Sequence, residues 1–108
     1  MGIRVKFNDV GEFVTELGHY VADDFDDCVL RMTKRFTPLK EMPIRQVQVV
    51  ASCVAKGRLV VLERYVGDVW GTTPDKEVYD SANRLMDQLQ AAAQKLGLQT
   101  RAGVFEEV

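Results

Sequence analysis

Apolar and polar positions change their period along this chain, and each change marks an element. Residues 44–66, IRQVQVVASCVAKGRLVVLERYV, form two runs rich in β-branched residues that meet at Lys56-Gly57. A glycine in a two-residue connection supplies the positive φ that a tight hairpin turn requires. Such a turn fixes the register. One side of the hairpin then pairs Ala55 with Arg58, Cys53 with Val60, Ala51 with Leu62, Val49 with Arg64 and Val47 with Val66. The other side pairs Val54 with Leu59, Ser52 with Val61, Val50 with Glu63 and Gln48 with Tyr65. The first side is apolar except for Arg64. The second is mixed, yet Val50, Val54, Leu59, Val61 and Tyr65 still give it a substantial apolar area. Strands that are apolar on both faces are normally covered on both faces.

Around this hairpin the pattern predicts two helices and three further strands. Ile3-Arg4-Val5-Lys6-Phe7 alternates as a short half-buried strand. Asp9 with Glu12 has capping-box spacing, and Val10, Phe13, Val14, Leu17, Tyr20 and Val21 then share one helical face. Gly11 and Gly18 each cost that helix about 1 kcal/mol relative to alanine, so packing rather than propensity must hold it. Cys28 to Phe36 alternates as a strand that Thr37-Pro38 is expected to break, with Pro43 closing a short connection. Thr73 is placed to cap a second helix, with Pro74 at its first position and Asp75 in its first turn. Val78, Ala82, Leu85, Leu89, Ala92 and Leu96 carry its apolar stripe to Gly97, a C′ glycine that Leu98 closes. Leu98 to Glu106 is the last strand.

The predicted fold class is α+β: a two-layer sandwich of order β-α-β-β-β-α-β, a ferredoxin-like variant. Its five-stranded sheet is expected to be mixed but largely antiparallel, with both helices on one face. Residues 1–108 are one domain by length. Two helices roof one face only, so Val50, Val54, Leu59, Val61 and Tyr65 are expected to form an interface, with a second copy of the chain as the economical cover.

Composition adds exclusions. No run approaches the ~20 apolar residues of a membrane span, and no leader pattern opens the chain, so a cytoplasmic protein without a membrane partner is expected. Cys28 and Cys53 have no close-spaced partner and are expected as buried free thiols. The net charge of −2 conceals a division. Residues 1–28 set Asp9, Glu12, Glu16, Asp23, Asp24, Asp26 and Asp27 against Arg4 and Lys6. Residues 29–64 set Arg31, Lys34, Arg35, Lys40, Arg45, Lys56, Arg58 and Arg64 against Glu41 and Glu63. The basic middle meets either the protein's own acidic helices or an external anion.

Candidate chemistry is sparse. The acidic bend Asp23-Asp24-Phe25-Asp26-Asp27 lacks the alternating ligands, central glycine and terminal glutamate of a calcium loop. His19 lies four residues before Asp23, a ligand spacing only if the helix continues. There is no phosphate-binding glycine loop, no metal-ligand spacing and no nucleophile elbow, so no cofactor and no metal are expected and the chain leans away from catalysis. With the first strand set aside, helix–three strands–helix resembles the double-stranded-RNA-binding domain. That family needs a lysine cluster at its second helix; here Pro74-Asp75-Lys76-Glu77 offers only Lys76, and no residue is carried over.

The leading expectation is therefore a non-enzymatic interaction module that self-associates across its open sheet face and docks a macromolecular partner. One alternative is a small anionic ligand held by Arg64, pointing toward the helices, under Trp70 as a lid. Another is sequence-tolerant nucleic-acid binding through the basic region 31–64, using Arg31, Arg35, Arg45, Lys56 and Arg58 with Tyr65 or Trp70 stacking.

Overall fold

A computed structural model describes residues 2–21, 29–71 and 75–107, with 103–107 described by their backbone. The order of elements is β1 (Ile3–Lys6), α1 (Val10–Val21), β2 (Val29–Pro38), β3 (Ile44–Ala55), β4 (Arg58–Trp70), α2 (Lys76–Lys95) and β5 (Gln99–Glu107). The strands form one five-stranded sheet in the order β1-β4-β3-β2-β5. The β-α-β-β-β-α-β order along the chain is thus the expected one. The sheet is mixed rather than largely antiparallel: β1 joins β4 and β5 joins β2 in parallel, flanking two antiparallel ladders. Helix α1 links β1 to β2 and helix α2 links β4 to β5, and a helical crossover delivers a parallel strand where a short turn cannot. The strand order does not confirm a ferredoxin-like arrangement.

The hairpin register holds from its turn outward. Lys56 and Gly57 have φ of 53° and 75°, the pair of positive angles that a type I′ turn needs. Ala55 opposes Arg58, and pairing continues in step through Gln48 and Tyr65. There the ladder slips, so Val47 faces Gly67 instead of Val66. This bulge puts a glycine on the helix-facing side, where a Cβ on Gly67 would lie 3.0 Å from Val78 Cγ2. Gly67→Ala is expected to cost about 1–3 kcal/mol by overpacking. Val78→Ala in the same chain should recover most of it, as a denaturation double-mutant cycle would measure.

One core lies between the sheet and the two helices. Phe13, Leu17 and Val21 of α1 and Ala82, Met86, Leu89 and Ala93 of α2 meet Leu30, Met32, Val47, Val49, Ala51, Cys53, Val60 and Leu62 of the sheet. All these sheet residues fall on the same side of the alternating strands. The α1 face is the predicted one. Its start is fixed by Asp9, which accepts from Glu12 N at 2.8 Å while the Glu12 carboxylate accepts from Asn8 N at 2.8 Å.

Several details differ from expectation, β4 among them, which runs on past Val66 to Trp70. β2 runs on through Pro38, which opposes Arg45 as the last paired residue, a strand end being where a missing donor costs little. Asp75 caps α2, its extended backbone preceding the helix and its carboxylate accepting from Val78 N at 3.2 Å, while Thr73 and Pro74 lie outside the described residues. The buried row of α2 passes through Met86, leaving Leu85 half-buried beside it. The far end closes as expected, with Gly97 at φ 93° and Leu98 N donating to Ala93 O at 3.1 Å.

Candidate binding surface

The site is the sheet face turned away from the helices. Strand alternation and the observed register give its rows. At the hairpin end Leu59 of β4 lies opposite Val54 of β3, with Val29 of β2 beside them. The next row is Arg4, Val61, Ser52, Arg31 and Arg101, one residue from each strand in sheet order. Below it come Lys6, Glu63, Val50 and Thr33, then Tyr65, Gln48 and Arg35. Trp70 and Ile44 end the face.

The five residues expected as an interface therefore share this face, but their exposure divides them. Val54 and Leu59 are 62% and 48% exposed and Tyr65 is half exposed, whereas Val50 and Val61 are only 3% and 9% exposed. Val50 and Val61 lie in the middle of the sheet, flanked by longer side chains in their own and adjoining rows. Val54 and Leu59 lie in the last row of this face before the turn. Val29 is exposed with them, so the open apolar area is a strip of Val29, Val54 and Leu59 at the hairpin end. These three line one shallow cavity with Arg31, Ser52 and Cys53.

Electrostatics divide the molecule by face. Arg4, Lys6, Arg31, Arg35 and Arg101 all belong to the uncovered side. Glu63 sits among them, 6% exposed, and its carboxylate accepts from Arg4 Nη1 at 3.4 Å. The Tyr65 hydroxyl donates to Asp68 Oδ1 at 2.8 Å. That hydrogen bond to a carboxylate, with slight burial and the carboxylate charge, raises the phenol above its ordinary pKa. The acidic residues of α1 and α2, such as Glu12, Glu16, Asp80 and Asp87, belong to the opposite layer.

The basic middle of the chain is consequently split. Arg31 and Arg35 project on the uncovered face. Lys34 turns the other way and donates to Asn83 Oδ1 of α2 at 2.6 Å. Arg45 also lies on the helix side, its guanidinium 5.1 Å from the centre of the Phe36 ring. Lys56 and Arg58 occupy the hairpin tip. The set Arg31, Arg35, Arg45, Lys56 and Arg58 does not gather on one surface.

Arg64 and Trp70 are not brought together either. Arg64 faces the helix layer, as its pairing with Val49 requires, and donates to the carbonyls of Asn8 at 2.7 Å and Tyr65 at 3.1 Å. It lines a cavity of about 410 Å³ with Lys6, Asn8, Gln46, Gln48, Glu63 and Tyr65, and a second of about 300 Å³ against α1 and α2. Trp70 borders neither; it is exposed on the other face, opposite Ile44 at the far end of β4.

Other predicted groups are scattered. Cys53 is buried on β3, and Cys28 lies outside the described residues. His19 is exposed near the end of α1, edge-on to Tyr20 with ring centres 4.6 Å apart. Asp23 and the rest of the acidic bend also lie outside the described residues. Among the described residues no group of three or more His, Cys, Asp and Glu side chains gathers, and no helix is long and apolar enough to cross a membrane.

Sequence reasoning overlooked Val29, Arg4, Lys6 and Arg101 as members of the face. Arg4 and Lys6 had a signal, since both alternate with Ile3 and Val5 and must point away from the core. Arg101 had none, because its neighbour on the sheet is 70 residues earlier in the chain, at Arg31. Comparison with protein-family models, curated proteins and solved structures found no match to this chain.

Proposed function

We propose that this protein is a non-enzymatic interaction module whose working surface is the sheet face that its helices leave uncovered, and that its first occupant is a second copy of the chain. The observation that supports this is the exposed strip of Val29, Val54 and Leu59 on an otherwise regular sheet. Apolar side chains lying together in this way gain free energy when water is removed from them, at roughly 25 cal/mol per Å².

The charge layout restricts how two copies meet. Sheets laid fully face to face would bring the row of Arg4, Arg31 and Arg101 against its own image. Contact centred on the hairpin-end strip, with the sheets crossing steeply, keeps those rows apart. Such a contact belongs to the small, transient class of interfaces.

Sedimentation equilibrium is expected to show a monomer–dimer exchange with a dissociation constant of roughly 1–100 μM. Val54→Gln with Leu59→Gln should yield a monomer throughout that range with little change in melting temperature, because both side chains are already exposed in one copy. A wild-type chain that stays monomeric at several hundred micromolar refutes self-association.

A further inference from the structure

Beyond self-association, we infer that Arg31, Arg101 and Thr33 form a binding site for the dianionic head of a phosphate monoester. Arg31 and Arg101 are direct neighbours in the parallel β2–β5 ladder. Neighbouring strands lie only about 4.8 Å apart. Both side chains are exposed, and they line one shallow cavity of about 280 Å³ with Thr33 and Ala102. Two positive charges directly opposite on a sheet repel each other. Among the described residues neither guanidinium has a carboxylate partner, and the acidic helices occupy the other face of the sheet. An anion seated between them turns that repulsion into attraction.

The details of the site select the anion. A guanidinium presents a planar fork of N–H donors that matches two oxygens of a tetrahedral oxyanion. One such fork satisfies a carboxylate. Two forks carry two charges, which match a phosphate monoester at about −1.5 to −2 near neutral pH. Thr33 adds a hydroxyl donor from the next row. The ladder slips beside them: Met32 opposes Ala102 but Lys34 opposes Phe105. Bulges of this kind re-aim side chains and are over-represented next to binding sites.

The test is an NMR titration of the ¹⁵N-labelled full chain with inorganic phosphate, ionic strength held constant with sodium chloride. Saturable shifts are expected at the amides of Arg31, Thr33 and Ala102 and at the two Arg Nε–H signals, with half-saturation in the roughly millimolar range usual for so small a ligand. Arg31→Gln and Arg101→Gln should each weaken binding by roughly tenfold or more, one lost charge-assisted contact, without lowering the melting temperature in phosphate-free buffer. Phenyl phosphate binding tighter than inorganic phosphate would assign an esterified source, its ring lying toward the Val29–Val54 strip; equal affinity would assign the free ion. Shifts that never saturate, or that survive both substitutions, overturn the site. A single-stranded oligonucleotide lacking a terminal phosphate that displaces inorganic phosphate from these residues overturns the monoester class. The chain carrying Val54→Gln and Leu59→Gln should still bind phosphate, so loss of dimerisation and loss of this site are read separately.

Discussion

Replacing Phe13 with alanine is expected to lower the free energy of unfolding by about 3–5 kcal/mol, the range for deleting a buried aromatic ring. Phe13 is fully buried on α1, and its ring centre lies 5.2 Å from that of Phe7, just after β1. The pair joins two weak elements. The helix contains Gly11 and Gly18, each worth about 1 kcal/mol against helix formation, so its stability comes from the face that Phe13 anchors. β1 is a four-residue edge strand held by a parallel ladder to β4 alone. Losing the ring opens a cavity where neither neighbour has reserve stability. Urea denaturation should show the full loss, and hydrogen exchange should quicken in β1 and α1 before β3 and β4. Val14→Ala, on the half-buried side of the same helix, should cost clearly less. A Phe13→Ala cost below about 1 kcal/mol would mean that the ring is not part of the core.

The difference between what the sequence made legible and what it hid follows the range of each interaction. The hairpin was readable because Lys56-Gly57 sets the register locally, and that register holds pair by pair to Tyr65. It fails at Val66 because a bulge inserts one residue without changing the apolar pattern. Gly67 was the available sign, a glycine inside a strand being a common mark of a bulge. The parallel ladders had no local sign at all. A helix leading out of a strand announces a crossover, but not which strand it will reach. For that reason the mixed sheet was misjudged as largely antiparallel and the Arg31–Arg101 juxtaposition was invisible. Faces were legible and depth was not. Alternation put Val50, Val54, Leu59, Val61 and Tyr65 on one side correctly, yet whether neighbours cover a side chain depends on its row. Val50 in mid-sheet is covered, and Val54 beside the turn is open.

The second large effect lies in α2, where the apolar stripe could be drawn through two adjacent rows. Leu89→Ala is expected to cost about 2–5 kcal/mol, and Leu85→Ala roughly half as much or less. Leu89 is fully buried in line with Ala82, Met86 and Ala93, whereas Leu85 is half-buried and borders the cavity that Arg64 and Arg84 line. A truncated Leu85 leaves space that water can enter from that cavity, so little void remains. A truncated Leu89 leaves an apolar hole under the centre of the sheet, where α2 faces β2, β3 and β4 together. The same core cluster holds β-branched or already small residues such as Val49, Ala51 and Ala82, which have little freedom to collapse inward. Equilibrium denaturation of the two variants in parallel decides the matter. If Leu85→Ala proves the costlier, α2 is rotated about its axis relative to the sheet.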